Sequence, residues 1–281
     1  MSNDGMKIIP VCICYLCGKP ILPEQESNKD HVVPKVLLQK KQPKIQGFDY
    51  GGKLITHQAC NNKFGEGSSN LEVICKKALD LLYILLDEKC YIKRYCKGNP
   101  NLGLLVLDST YLKGFTNRDL EFFGINDVRN KEYTSWSNVS YLETLEPINP
   151  RIKPTNIALT VLAKSSAAIL VSRYKVLPDS TWKITVYPGL DDDDSIDMND
   201  LMGRTQPFDI GVKVWIRNVS NEHLLVAYKH KKIITFFNFS FFDDTALDNI
   251  LPMIFPNREI FQYRSNNLID LVGYDWFKNS L

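Results

Sequence analysis

The chain has 281 residues, 44% of them apolar, and a formal charge of +2. That length is comfortable for two domains, and the ordinary composition argues against disorder or low complexity. The first ten residues lack the basic region and apolar run of a secretory signal, and the longest apolar run, residues 157–171, is interrupted by Lys164, Ser165 and Ser166, too polar and short to span a bilayer. A soluble, cytoplasmic protein is expected.

All seven cysteines precede Lys97. An odd number of thiols in a reducing compartment favours metal binding over a disulfide framework. Charge is lopsided in the same sense: residues 1–97 carry 15 Lys and Arg against 10 Asp and Glu, the remainder 19 against 22. The first part is therefore the one expected to meet a polyanion.

Taken along the chain, Cys14-Tyr-Leu-Cys17 comes first, with Gly18 suited to the sharp turn of a metal knuckle. "DHVVP" at residues 30–34 follows, its two valines expected to form the strand that holds Asp30 and His31. A lysine-rich stretch comes next: Lys35, Lys40, Lys41, Lys44 and Lys53 outnumber Asp49. As a group, joined by Lys63, these lysines suit phosphate neutralisation without base reading, although each singly is an ordinary solvated residue. "KLITH" at 53–57 reads as a short strand delivering His57-Gln-Ala-Cys60, after which "NNKFG" opens a helical turn.

Leu71, Cys75, Ala78, Leu79, Leu82 and Leu85 recur at helical spacing, predicting a helix over about 70–88. Gly and Pro at 98–103 then mark a break, which divides the chain into domains 1–97 and 98–281. Beyond it, Pro154 opens a helix expected to run to Tyr174. Alternation around Trp182–Val186 and Ile210–Ile216, and two apolar runs flanking "KHKK", predict strands and a hairpin. The fold class is α+β with a largely antiparallel sheet in the second part. Trp182, Trp215, Phe236 and Phe237 are expected in its core, and the aspartates of "LDDDDSID" in a solvated loop.

The chemistry concentrates in the first part. Cys14, Cys17, His57 and Cys60 form two chelating pairs with two-residue gaps, the thiolate and imidazole set of a tetrahedral structural Zn²⁺. Cys12 is a rival ligand, its one-residue gap to Cys14 fitting a knuckle less well. Cys75, Cys90 and Cys96 read as helix or core thiols. With zinc so assigned, Asp30 and Asn62 remain as oxygen donors for a hard cation, and His31 as a base for water near neutral pH. Asn61 competes with Asn62 for the metal role. Glu66 and Glu72 lie close enough in sequence to reach the site, but salt bridges at a helix start explain them equally well.

"CYLCG" at 14–18, "DHVVP" at 30–34 and "LITHQACNNKFG" at 54–65 together resemble the HNH endonuclease family, with its zinc-stapled ββα-metal (His-Me finger) core. The resemblance covers under a quarter of the chain. It implies that Asp30 and Asn62 bind a catalytic Mg²⁺ or Mn²⁺, and that His31 activates water against a DNA phosphodiester, giving a 5′ phosphate. The expected partner is double-stranded DNA. His57 stands where cysteine is commoner in the family, and Lys53 where an asparagine often precedes the second strand. Two rivals stay open: a zinc-stabilised nucleic-acid-binding protein without catalysis, and an HNH enzyme that cleaves RNA. A homo-oligomer suits double-strand cleavage, although no residue pattern specifies one.

Overall fold

The computed structural model describes residues 6–8, 13–38, 52–65, 70–96, 99–107, 109–124, 151–178, 181–190, 197–198, 202, 208–209, 212–220, 223–240 and 260–279. Its elements are β1 (Met6–Ile8), β2 (Ser27–His31), β3 (Lys53–His57), α1 (Gln58–Gly65), α2 (Leu71–Leu86), β4 (Tyr91–Cys96), β5 (Asn99–Leu107) and α3 (Asn117–Phe122). They continue with α4 (Ile152–Tyr174), β6 (Val176–Pro178), β7 (Trp182–Leu190), β8 (Phe208–Asp209), β9 (Lys213–Ser220), β10 (His223–His230), β11 (Ile233–Ser240) and β12 (Phe261–Ser265). This is an α+β protein whose main sheet is antiparallel.

Packing divides the chain into two compact units, Met1–Lys76 with Leu159–Leu281, and Lys77–Ala158. The division differs from a cut near residue 97, because α2 and α4 each begin in one unit and end in the other. The N-terminal motifs and the C-terminal sheet therefore belong to one unit.

In that unit six strands run in the order β12-β7-β11-β10-β9-β8. Apolar residues on alternate positions bury both faces. On one, Tyr187, Trp215, Leu225, Ala227, Ile234 and Phe236 pack with Met198 and Met202. On the other, Tyr228 of β10 stacks edge-on against Phe237 of β11, with ring centroids 5.8 Å apart. Trp182, Trp215, Phe236 and Phe237 are all core residues. The β10–β11 hairpin turns at Lys231, whose φ of 54° places it in the left-handed region.

Helix α4 starts at Ile152, so Pro154 falls within its first turn, where a missing backbone N–H costs nothing. By length and composition it is apolar enough to cross a membrane, but 83% of its most apolar window is buried inside the protein, as in a core helix. Its buried hydroxyls are hydrogen-bonded within the protein. Ser165 and Ser166 hydroxyls meet the Tyr228 hydroxyl at 3.2 Å, and Thr160 accepts from the Trp276 indole at 3.2 Å. The C-terminal segment also reaches the knuckle, where Leu268 N donates to Leu16 O at 2.7 Å.

The second unit contains the β4–β5 hairpin and α3. Thr116 and Asp119 form a reciprocal capping box at the start of α3, and Lys77 Nζ lies 2.6 Å from Asp119 Oδ1. Arg151 donates to Leu85 O at 3.2 Å, and Lys153 Nζ sits 4.0 Å from the Phe122 ring centroid.

Candidate metal centre and adjoining histidine site

The Cys14–Cys17 turn closes on itself through Gly18 N to Cys14 O (2.8 Å) and Cys14 N to Lys19 O (3.0 Å). Gly18 has a φ of +69°, where a side chain would be strained. His57 ends β3 and Cys60 occupies the first turn of α1, so the strand-to-helix junction sets their spacing. The ligand atoms of Cys14, Cys17, His57 and Cys60 all lie within 4.8 Å of one another. Two pairs remote in sequence thus form a cluster that can hold a metal ion such as zinc. It is the one such grouping among the described residues; Cys75 and Cys90 are buried elsewhere, and Cys12 lies outside the described residues.

Hydrogen bonding fixes the tautomer of His57. Its Nε2 lies 3.1 Å from Pro20 O and 3.0 Å from Gln25 Oε1. The Gln25 atom must be an oxygen, because Leu22 N donates to it at 2.9 Å. Both neighbours only accept, so Nε2 carries the proton. Nδ1, 3.3 Å from Cys17 Sγ and 3.8 Å from Cys60 Sγ, is left with its lone pair toward the sulfurs. This is how a metal-ligating histidine is oriented by partners beyond the metal.

The Cys17 thiol is held down, chiefly by a hydrogen bond from Cys14 and further by the Lys19 backbone N–H, against the effect of burial. Cys14 is pushed up instead, first by its hydrogen bond with Cys17 and then by burial, and Cys60 is pushed up by burial, so of the three thiols only Cys17 is shifted toward thiolate, the ligand form. A cavity of about 450 Å³ opens beside the cluster, lined by Cys17, Gln25, Glu26, His57 and Cys60 among others.

Hairpin β2–β3 pairs Ser27 with His57, Asp30 with Leu54 and His31 with Lys53, and leads straight into α1. The strand ends at His31. Val32 and Val33, expected to form the strand themselves, follow it as a buried bend, with Val32 N on Gly52 O at 3.0 Å. Period-two alternation was absent there, since two adjacent apolar side chains cannot both face one side of a sheet. Asn28 Oδ1 accepts from Thr56 Oγ1 at 3.0 Å and from Asn61 Nδ2 at 3.1 Å, fastening both strands to α1. Asn61 therefore spends its amide on the hairpin. Asn62 is half-buried on the same helix.

Asp30 is only 2% exposed. The Tyr15 hydroxyl, from within the Cys14–Cys17 knuckle, donates to its Oδ2, and Lys164 Nζ of α4 lies 2.9 Å from its Oδ1. The same ammonium donates to Glu72 at the start of α2 and sits 4.6 Å from the Phe64 ring centroid of α1. Glu72 is thus in a salt bridge, as a residue at a helix start commonly is. Ser165 hydroxyl donates to Val32 O at 3.0 Å, tying α4 to the bend after His31.

His31 is half-buried and its imidazole is held below its ordinary pKa, first by burial and then by the charges of Lys35 and Lys53. It therefore stays neutral, a proton acceptor, to lower pH than a free histidine. Lys35, Lys53 and Lys63 are exposed; Lys40, Lys41 and Lys44 lie outside the described residues.

Tyr15, Gln25, Asn28 and Lys164 were not foreseen as site residues. Only Lys164 left a signal: a lone charge within an apolar helix needs a buried partner.

No family model matches the chain, and comparisons with curated proteins and with solved structures find no match.

Proposed function

We propose that this protein is a cytoplasmic HNH-type endonuclease that hydrolyses DNA phosphodiester bonds. The observation that carries this reading is the hairpin-to-helix junction, which sets His31, its pKa lowered by burial and by the charges of Lys35 and Lys53, at the end of β2 and a Cys₃His cluster at its other end. Zinc bound by Cys14, Cys17, His57 and Cys60 would be structural, because four protein ligands complete a tetrahedral shell. His31 takes a proton from the attacking water. Lys35, Lys53 and Lys63, together with Lys40, Lys41 and Lys44, hold the backbone phosphates.

Asp30 and Asn62 offer the hard oxygen donors that suit Mg²⁺ or Mn²⁺. A divalent cation held there supplies stabilisation of charge on the phosphate and the leaving oxygen. The carboxylate is already engaged by Tyr15 and Lys164, so the cation has to share or exchange that position.

The same engagement favours a second reading, a zinc-stabilised nucleic-acid-binding protein without catalysis, in which Asp30 is purely structural. Zinc-loaded protein incubated with supercoiled plasmid or with RNA and Mg²⁺ or Mn²⁺, beside His31→Ala, separates these. Cutting of DNA that is lost in His31→Ala supports the nuclease; cutting of RNA alone moves the substrate. Binding without cutting of either supports the second reading.

A further inference from the structure

The Cys₃His cluster is not closed on all sides. The cavity of about 450 Å³ beside it has Cys17, His57 and Cys60 in its wall, with Lys19, Gln25 and Ala59 around them, but not Cys14. Burial follows the same division: Cys14 is 0% exposed, Cys60 is 9% exposed and Cys17 is half-buried. Four protein ligands leave a tetrahedral ion no position for a reactant. A small molecule entering this cavity therefore meets ligand sulfur and not an open metal site.

We infer that Cys17 and Cys60 are a peroxide-sensitive pair, oxidised through this cavity to a disulfide that costs the cluster its metal ion. The inference rests on zinc in the cluster and not on the nuclease reading. The ligand atoms all lie within 4.8 Å of one another, and the two sulfurs come from separate elements, the knuckle and the first turn of α1. A coordinated thiol is held as thiolate, the form that peroxide oxidises. Hydrogen peroxide has roughly the bulk of two waters, about 30 Å³ each, and the cavity is far larger.

The Cys17 sulfur attacks one peroxide oxygen; an S–O bond forms, the O–O bond breaks, and the departing hydroxide takes a proton from solvent. The Cys60 sulfur then attacks the Cys17 sulfenic acid. An S–S bond forms, the S–O bond breaks, and the second hydroxide is protonated in turn. Two thiolates lose two electrons, and one peroxide becomes two waters. Cys60 is the partner because both sulfurs line one cavity, so the sulfenic acid forms against it, whereas Cys14 is buried away from that wall. Only Cys14 and His57 then remain as ligands, half of a tetrahedral set.

The test treats zinc-loaded full-length protein with graded hydrogen peroxide beside a chromogenic chelator, and maps the cysteines by peptide mass spectrometry with and without reduction. One zinc should be released per Cys17–Cys60 disulfide formed, and a dithiol reductant with added Zn²⁺ should restore both thiols and the metal. Ala59→Trp enlarges an exposed residue of the cavity wall and leaves every ligand in place. It should slow zinc release and disulfide formation by the same factor. A Cys14–Cys17 disulfide, zinc released without a Cys17–Cys60 bond, or equal rates in Ala59→Trp and wild type overturns the inference. Protein that carries no zinc before treatment overturns it together with the zinc assignment. The other failures leave that assignment standing, and none of them bears on the nuclease reading, which cutting decides.

Discussion

Lys164 Nζ lies 2.9 Å from Asp30 Oδ1 although 134 residues separate them in sequence, and each side chain is 2% exposed. This one contact ties the N-terminal knuckle-and-hairpin to the core helix of the C-terminal sheet. Tyr15 extends it to the Cys₃His cluster and Glu72 to α2. Its consequences for stability follow directly. Lys164→Met leaves Asp30 buried with one oxygen unpaired and should cost about 3–5 kcal/mol, whereas Asp30→Asn, which leaves the ammonium its Glu72 partner, should cost less. The double variant should lose less than the sum, because the Asp30 carboxylate that Lys164→Met strands is then absent. Urea denaturation of the four proteins of the cycle measures the coupling. An additive double variant would mean that the pair contributes nothing as a pair.

Metal content is the second test. Purified protein should carry one zinc per chain, and Cys60→Ala should lose it together with the β2–β3–α1 fold. Gln25→Ala should keep the fold when zinc is in excess but bind zinc about 10- to 100-fold more weakly, since His57 loses a partner that orients it. Competition with a chromogenic chelator reads both. The cavity beside Cys17 and Cys60 gives a chelator an approach.

If His31 is the base, activity depends on its neutral form. Its folded pKa lies below the ordinary value, so activity should persist below the pH at which a free histidine protonates, and fall as pH drops through the lowered value. Lys53→Gln and Lys35→Gln each remove a positive charge that disfavours the imidazolium. The acid limb of the kcat profile should then move to higher pH. A limb that stays in place in both variants would remove His31 from the role of base.

In the second unit, burial pushes the Asp119 carboxyl up, but the Lys77 ammonium and the Thr116 hydroxyl and backbone N–H outweigh it, and the net shift is downward. A carboxylate with a depressed folded pKa adds stability that is complete above its unfolded value and disappears as pH falls through its folded value. Thermal unfolding should therefore show an acid-side loss that Asp119→Asn abolishes. Thr116→Ala should cost about 1 kcal/mol through loss of the cap.

Local pattern was sufficient wherever a structure is specified by near neighbours. Cys14 and Cys17, His57 and Cys60, Gly18, the strand Lys53–His57, and the periodicities of α2, α4 and the β10–β11 hairpin all rest on spacings of a few residues, which backbone geometry converts directly into faces and turns. That two cysteine-containing pairs would meet was also readable, because four soft ligands at knuckle spacing have few other arrangements. What Asp30 touches was not readable. A carboxylate next to a histidine looks the same whether it faces water, a cation or an ammonium, and the choice here was made by a lysine that arrives from 134 residues downstream on another element. The same holds for the division into units, since α4 carries its chain from one unit into the other without any break in helical pattern. Spacing determined the donors available in this protein; long-range burial decided which of them are already paired.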